Sequence, residues 1–276
     1  MVRRPVVGKG KNRPVLFMSK EPFVSRRLSN SELMQFRDEG YLACGPMLTD
    51  WGLELIRKEC VESWQREKGP FDPAKTWLEN SLFPNIHHQA RMVRRFYFDG
   101  PLVDLVEQII GPNVKAATSQ LTFKMKGNEM VFPWHQDNGY GELDPYNAIS
   151  CLTALDDTNR ANGCLWVIPR SNQEGQKAHE RGKMALDPKR GSELKTQADE
   201  SKAIPITMKA GESMVMSCWT LHKSEANQSG ADRRILFFRY ADADAVEVHN
   251  GRRPRLGRLL RGTTQYDEVR EFESNL

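Results

Sequence analysis

Six histidines are scattered through the 276 residues, and one of them sits in a pattern that could hold a metal. His135 lies in Phe132-Pro133-Trp134-His135-Gln136-Asp137. Side chains alternate along an extended chain, so His135 and Asp137 project to the same side and can share one ion. Alone, the pair decides nothing: six histidines and 36 acids predict roughly 0.8 such pairs by chance. A third ligand must come from elsewhere. His222 is the candidate, because it follows the apolar run 213–219 and precedes a polar turn. Two histidines and one carboxylate on one face leave three coordination positions open. That suits iron(II), which needs room for a cosubstrate and dioxygen; a catalytic zinc site would leave fewer. The other histidines read differently. His87 and His88 are adjacent in PNIHHQ, with no acid close in sequence, and read as surface or polar-contact residues. His179 and His249 sit in charged segments and read as exposed.

Arg233 follows His222 by eleven residues and opens the run Arg233-Arg234-Ile235-Leu236-Phe237-Phe238. Arginine grips a planar carboxylate through two parallel hydrogen bonds. A dicarboxylate such as 2-oxoglutarate could chelate iron at one end and meet this arginine at the other. Arg234, next in sequence, would face the opposite way.

These residues need elements to position them. Residues 28–116 read as mostly helical. Ser29 with Glu32 makes a capping box, and Gly40 stops that helix. A second helix starts near Asp50, with Leu53, Ile56, Cys60 and Trp64 at helical spacing. A third opens at Asp99-Gly100-Pro101 and ends at Gly111. From about residue 117 the segments shorten. Ser119, Leu121, Phe123 and Met125 alternate with Gln120, Thr122, Lys124 and Lys126. Further strands are expected at 147–155, 163–169, 203–208, 213–219 and 233–240. Asn162-Gly163 and Gly211 supply turns. Short strands at regular spacing suggest a sandwich or jelly roll. The polar stretch 171–202 reads as a lid over the site or a segment without fixed structure.

Composition fits one globular domain, 28–245, between a basic arm (1–27) and a tail (246–276). The net charge is +4, with basic runs in residues 1–14 and 252–261. No nucleic-acid motif accompanies them, so they read as solvated tails and no nucleic-acid partner is expected. Five scattered cysteines without a CxxC pair argue against a zinc ribbon or a disulfide framework. A reducing, cytoplasmic setting fits. No apolar stretch is long enough to cross a bilayer, and the N-terminus lacks the apolar core of a signal peptide.

The chain resembles the phytanoyl-CoA dioxygenase superfamily of iron(II)/2-oxoglutarate-dependent oxygenases over most of residues 28–240. The resemblance is carried by Leu28-Ser29-Asn30-Ser31-Glu32-Leu33, by Phe36 through Leu42, and by Ile110-Gly111-Pro112-Asn113-Val114. It is strongest at Trp134-His135-Gln136-Asp137, Ala154-Leu155-Asp156-Asp157, Asn162-Gly163-Cys164-Leu165 and His222 through Asn227 to Arg233. It implies a mainly β fold, a double-stranded β-helix (jelly-roll) core with flanking N-terminal helices. It implies Fe(II) held by His135, Asp137 and His222, with 2-oxoglutarate and O2 as cosubstrates. Arg233 becomes the 2-oxoglutarate clamp, Gln120 and Lys124 line its site, and Asn227 organises the turn after His222. Two departures stand out. Leu152 replaces a tryptophan found in some relatives, and Arg170-Ser171-Asn172 replaces a common Pro-Gly-Ser-His ending.

The expected reaction is hydroxylation of a small-molecule substrate, with release of succinate and carbon dioxide. The same centre could instead drive desaturation, epimerisation or ring formation. Halogenases of this kind lack the carboxylate ligand, so Asp137 argues against that outcome. A binding protein that kept the fold and lost activity is disfavoured by four intact site residues. Asn138, Tyr140 and Trp219 lie beside ligand positions and are candidates for substrate contact. The residues select no particular substrate or oligomeric state.

Overall fold

The computed structural model describes residues 21–70, 72, 75, 79–127, 129–181 and 194–276. Ser29 caps α1 (Asn30–Glu39) through the expected capping box with Glu32, and Gly40 ends it in a left-handed conformation, φ 80°. A side chain at Gly40 would meet Asn172 and Thr220 at 2.6 Å, so close approach fixes this glycine as well as its φ. β1 (Tyr41–Pro46) follows. Thr49 caps α2 (Asp50–Glu67), which buries Gly52, Ile56, Cys60, Ser63 and Trp64. After β2 (Leu82–Pro84) comes α3 (Arg91–Asp99), a helix not foreseen from the sequence. Its arginines hide an apolar face of Val93, Phe96 and Tyr97 at helical spacing. Pro101 opens α4 (Pro101–Ile110), and Gly111 ends it as expected.

The rest is built from short strands: β3 (Val114–Lys124), β4 (Phe132–His135), β5 (Leu143–Asp144), β6 (Ile149–Ala154), β7 (Leu165–Val167), β8 (Glu180–Arg181), β9 (Leu194–Lys195), β10 (Ile204–Ile206), β11 (Glu212–Ser217), β12 (His222–Ser224), β13 (Arg233–Asp242), β14 (Val246–Glu247), β15 (Arg253–Pro254) and β16 (Arg258–Arg261). A final helix, α5 (Asp267–Glu271), completes the chain. The five later strands expected from the sequence form as β6, β7, β10, β11 and β13.

A major antiparallel sheet runs β1-β11-β6-β13-β3-β16, with β2 also paired to β3. A minor sheet runs β10-β7-β12-β4. Between them pack Leu152, Ala154, Leu165, Val167, Met214, Met216 and Ile235. The outer face of the major sheet presents Ile149, Cys151, Val215, Leu236 and Phe238 to the core that α2, α3 and α4 complete through Ile56, Phe96 and Leu102. Both faces of the major sheet are therefore covered, which is why the second half of β3 is buried on both sides rather than alternating. All five cysteines are buried and free of disulfides. Among the described residues no helix is long and apolar enough to cross a membrane.

Two expectations about the ends need correction, and the polar segment is fixed at both of its flanks. Residues 246–276 are not a tail. β14 pairs with β5 and β15, β16 pairs with β3, and Val269 of α5 is fully buried. The basic run is anchored, because Arg255 binds Glu247 at 2.8 Å and Arg261 binds Asp104 at 3.1 Å. The domain also begins before residue 28, since Phe23 bridges Leu48 and Val24 N–H bonds Met47 O at 3.0 Å. In the 171–202 stretch, β8 pairs with β9, Leu194 is fully buried, and Thr196 N–H bonds Trp134 O at 2.8 Å. The middle of the expected lid, 182–193, lies outside the described residues.

Candidate metal centre

β4 and β12 are neighbours in the minor sheet, and their register sets His135 directly opposite His222. The imidazole centroids stand 4.1 Å apart. Asp137 begins the 3-10 turn that follows β4, and its Oδ1 lies 3.8 Å from His135 Nε2 and 3.5 Å from His222 Nε2. All three side chains are buried, and their ligand atoms lie within 4.8 Å of one another. The distances exceed those of ordinary N–H···O bonds, so the three groups converge without closing on each other.

The surroundings orient each donor. His135 Nδ1 donates to Pro133 O at 2.7 Å, and His222 Nδ1 donates to Thr220 O at 2.9 Å. Both rings thus keep a proton on Nδ1 and turn Nε2 inward, the second-layer arrangement that metal-binding histidines use. Ser150 Oγ donates to Asp137 Oδ2 at 2.5 Å, leaving Oδ1 free to face the two rings. Burial alone would raise the Asp137 carboxyl, but the imidazoles of His222 and His135 and the Arg239 guanidinium hold it well below the usual range. Burial pushes His135 down to about 3. An ionised carboxylate with two imidazole nitrogens is the donor set that suits non-haem iron(II).

A second set of residues lies along the same interior face. Ser224 follows His222 by two residues on β12. Its hydroxyl donates to Gly163 O at 2.9 Å and accepts from Lys124 Nζ at 2.7 Å and Arg233 Nη2 at 3.1 Å. Arg233 and Lys124 are direct partners across β13 and β3, and both are buried. Among the described residues no carboxylate comes within ion-pairing distance of either cation. Burial, then Arg233, lowers Lys124 to about 6. A buried guanidinium beside a buried amine, neither paired with a carboxylate, fits the far carboxylate of a dicarboxylate ligand. Gln120 shares the Lys124 face of β3 and is half-buried opposite Phe237. Arg234 faces away and makes a two-pronged contact with Asp156, at 2.7 and 2.6 Å.

The other expected contact residues divide. Tyr140 is 44% exposed, with its ring edge-on to His135 at 5.5 Å. Trp219 stacks on Tyr146 at 3.5 Å. Asn138 is buried and tied down: its Oδ1 accepts from Leu143 N–H at 3.3 Å and its Nδ2 donates to Gln176 at 3.2 Å. Asn227 organises the turn after β12, as expected. Its Nδ2 donates to Lys124 O, Met125 O and Ala231 O, and its Oδ1 accepts from Ser229. Leu152 sits in the packing between the sheets. Ser171 accepts Leu221 N–H at 2.8 Å, so it braces the approach to His222.

Sequence reasoning missed Ser150, Arg239 and His179. Ser150 and Arg239 carried no motif and meet the site only through strand register. His179, expected to be exposed, is half-buried, and its Nε2 accepts Gln136 N–H at 3.0 Å. His87 and His88 do find an acid, Glu273, brought in from the C-terminus. His88 and Glu273 already bond at 2.7 Å, and among the described residues no backbone carbonyl orients the two imidazoles, so the buried triad is the better metal centre.

The family model described as Phytanoyl-CoA dioxygenase (PhyH) matches residues 36–235. Among curated proteins, Phytanoyl-CoA dioxygenase 1 of Oryza sativa subsp. japonica is 26% identical over 188 residues, 66% of this chain and 64% of its own length. The chain thus spans less than two thirds of the rice protein. Methylphosphonate hydroxylase of Gimesia maris is 25% identical over 236 residues, 80% of this chain and 85% of that one. Among solved structures, EctD from S. alaskensis with 2-oxoglutarate and 5-hydroxyectoine aligns with a TM-score of 0.66 at 20% identity, covering 86% of this chain and 88% of EctD. The carbocyclase SnoK from nogalamycin biosynthesis aligns at 0.64 and 19%, covering 86% and 94%. These likenesses give the fold, a double-stranded β-helix.

Proposed function

Because this chain belongs to the phytanoyl-CoA dioxygenase family of Fe(II)/2-oxoglutarate-dependent oxygenases, we propose that it hydroxylates an unactivated carbon of a small-molecule metabolite, releasing succinate and carbon dioxide. Oxygenases of this family use Fe(II), 2-oxoglutarate and O2. The observation that carries the reading is the converging His135–Asp137–His222 triad, with its Nδ1 protons already assigned to backbone carbonyls.

His135, Asp137 and His222 would hold the iron on one face. Bound there, iron supplies the oxygen activation and oxidative decarboxylation that no side chain can perform. The protein's part is positional. Ser150 fixes Asp137, so the carboxylate presents one oxygen to the ion. Arg233 and Lys124 would take the far carboxylate of 2-oxoglutarate, with the Ser224 hydroxyl between them. The apolar side chains between the sheets keep bulk water from that end. The intact Asp137 favours hydroxylation over halogenation, since it occupies the place a halide would need. Tyr140 and Trp219, at the edge of the centre, would meet the substrate.

The test is iron-dependent succinate release. The unmodified protein should release succinate from 2-oxoglutarate in the presence of Fe(II), and His135→Ala should lose at least a hundredfold of that rate. Unchanged turnover in the variant would refute the assignment.

A further inference from the structure

Arg239 belongs to neither the metal triad nor the Lys124–Arg233 pair, yet it shares their interior. It stands six residues beyond Arg233 on β13, and the register shift in the β13–β3 ladder falls after it, so both side chains leave the same face. Six residues of strand span about 20 Å. The interior face of β13 therefore reads Arg233, Ile235, Phe237, Arg239. Across β6 the direct partner of Arg239 is Ser150, whose hydroxyl holds Asp137. Opposed residues on one face have neighbouring side chains. Arg233 lies at one end of this face and Arg239 at the other, beside the Asp137 carboxylate.

The Arg239 guanidinium is under-used where it sits. Its Nη2 reaches Asn138 Oδ1 at 3.4 Å, the weakly accepting Cys218 thiol lies against it, and its Nε is buried and bonds nothing. Among the described residues no carboxylate, Asp137 included, comes within ion-pairing distance. Asp137 already has Ser150 on one oxygen, and its other oxygen turns to the two imidazoles. An arginine offers five N–H donors in a planar fork, and leaving such a charge enclosed without an anionic partner is strongly unfavourable. Structural arginines elsewhere in this chain are satisfied: Arg234 has Asp156, Arg255 has Glu247 and Arg261 has Asp104. Next to Arg239 is a second incomplete group. Tyr146, within its electrostatic reach, stacks on Trp219, whose buried Nε1 also lacks a partner. Unpaired donors clustered at one end of the site call for an acceptor from outside the chain.

We propose that Arg239 anchors the substrate, which is a small molecule carrying a carboxylate or phosphonate-type oxyanion held beside the metal on the side away from Arg233. The inference rests on the oxygenase reading above and deepens it, because it names the substrate class. The fork geometry of the guanidinium matches either oxyanion. The Trp219–Tyr146 stack supplies an apolar wall for the neutral part of the same molecule. Two arginines on one strand face would then divide the labour, Arg233 for the cosubstrate and Arg239 for the substrate.

The experiment compares matched acids and neutral analogues. The unmodified protein is first loaded without oxygen with Fe(II) and 2-oxoglutarate, and its visible charge-transfer absorption is recorded. Absence of that band would count against the oxygenase reading itself, separately from Arg239. Succinate release is then measured with 4-methylpentanoate and its amide, N-acetylleucine and its amide, and butylphosphonate and its dimethyl ester. At least one acid should stimulate turnover tenfold or more over its neutral partner, and the carboxylate and phosphonate arms show which oxyanion is preferred. Arg239→Met should keep the charge-transfer band, raise KM for that acid at least tenfold and abolish the preference, while Arg239→Lys should retain part of it. A merely structural arginine would lower kcat and melting temperature alike for acids and neutral analogues. The proposal is overturned if no acid outperforms its partner, or if Arg239→Met preserves the preference. Should Arg239→Met fail to fold, the unmodified protein and Arg239→Lys decide the question by the same comparison.

Discussion

Arg233 and Arg234 are neighbours in sequence and end in opposite electrostatic settings. Arg234 has Asp156 for a partner, whereas Arg233 has only neutral acceptors and the Lys124 amine across the ladder. Strand alternation foretold that the two would diverge; which of them lacked an acid could not be read without the fold. The Lys124 environment has a measurable consequence. Unliganded, Lys124 titrates near pH 6, so it is mostly neutral at pH 7.5. A bound carboxylate favours the ammonium form, so 2-oxoglutarate binding should take up a proton. Affinity should therefore be level below about pH 6 and fall as pH rises above it. Calorimetric titration at pH 7.5 in two buffers of different ionisation heat should show net uptake approaching one proton, and Lys124→Met should abolish it. Arg233→Met should weaken 2-oxoglutarate binding by about a hundredfold, since truncating one member of a buried charged contact typically costs about 2–5 kcal/mol. Equal affinity in that variant, measured with an inert metal, would exclude Arg233 as the clamp.

At the scale of elements, the centre is made by one strand pairing. β4 and β12 set His135 against His222, and the turn after β12 returns the chain to β13 and Arg233. Asn227 holds that turn by donating to three carbonyls, two of them beside Lys124 in sequence or on it. Asn227→Ala should destabilise the protein by about 3 kcal/mol, given roughly 1 kcal/mol for each buried bond lost. It should also weaken 2-oxoglutarate binding, because Lys124 and Ser224 lose their relative placement. Denaturant titration and calorimetry together check this, and a destabilised variant with unchanged cosubstrate affinity would show that the turn serves stability alone. The C-terminal elements act on the other side of the major sheet. β16 covers the far edge of β3, and Arg258 donates to the Glu273 and Leu276 carbonyls at 2.7 Å. An edge covered in this way offers no template for strand addition.

Across the whole molecule, two couplings should be visible in stability. On the proposed assignment iron would bind only the folded arrangement of the triad, so saturating Fe(II) at about a hundred times its Kd should add about 2.7 kcal/mol and raise Tm by several degrees. A chelator should reverse the rise, and His222→Ala should show none. The second coupling joins the C-terminus to the core. Burial pushes His87 down to about 4 from an ordinary 6.5, with Glu273 opposing and His88 and Arg94 adding to the fall. The unfolded chain therefore binds the proton first as pH drops. Stability should be intact above pH 6.5 and lost progressively between 6.5 and 4. The loss should be on the order of 2 kcal/mol after allowance for partial screening. His87→Gln should flatten that part of a Tm-against-pH curve.

Much of this protein was legible before folding. Local rules wrote the capping box at Ser29, the stops at Gly40 and Gly111, and the alternating strands, because these depend on neighbours within a few residues. The His135–Asp137 pair was legible for the same reason; His222 and Arg233 were candidates from their places beside apolar runs, and the family resemblance supplied their expected roles. The cationic run of α3 hid its apolar face, and the basic stretch around β16 resembled a solvated tail until its arginines met acids from distant segments. Only the tertiary structure decided what register decides: that Ser150 meets Asp137, that Lys124 and Arg233 share one hydroxyl, and that Arg239 stands without a carboxylate partner beside the His135–Asp137–His222 triad. Contacts between strands far apart in sequence leave no local pattern, since any residue type can occupy the facing position until the sheet pairs.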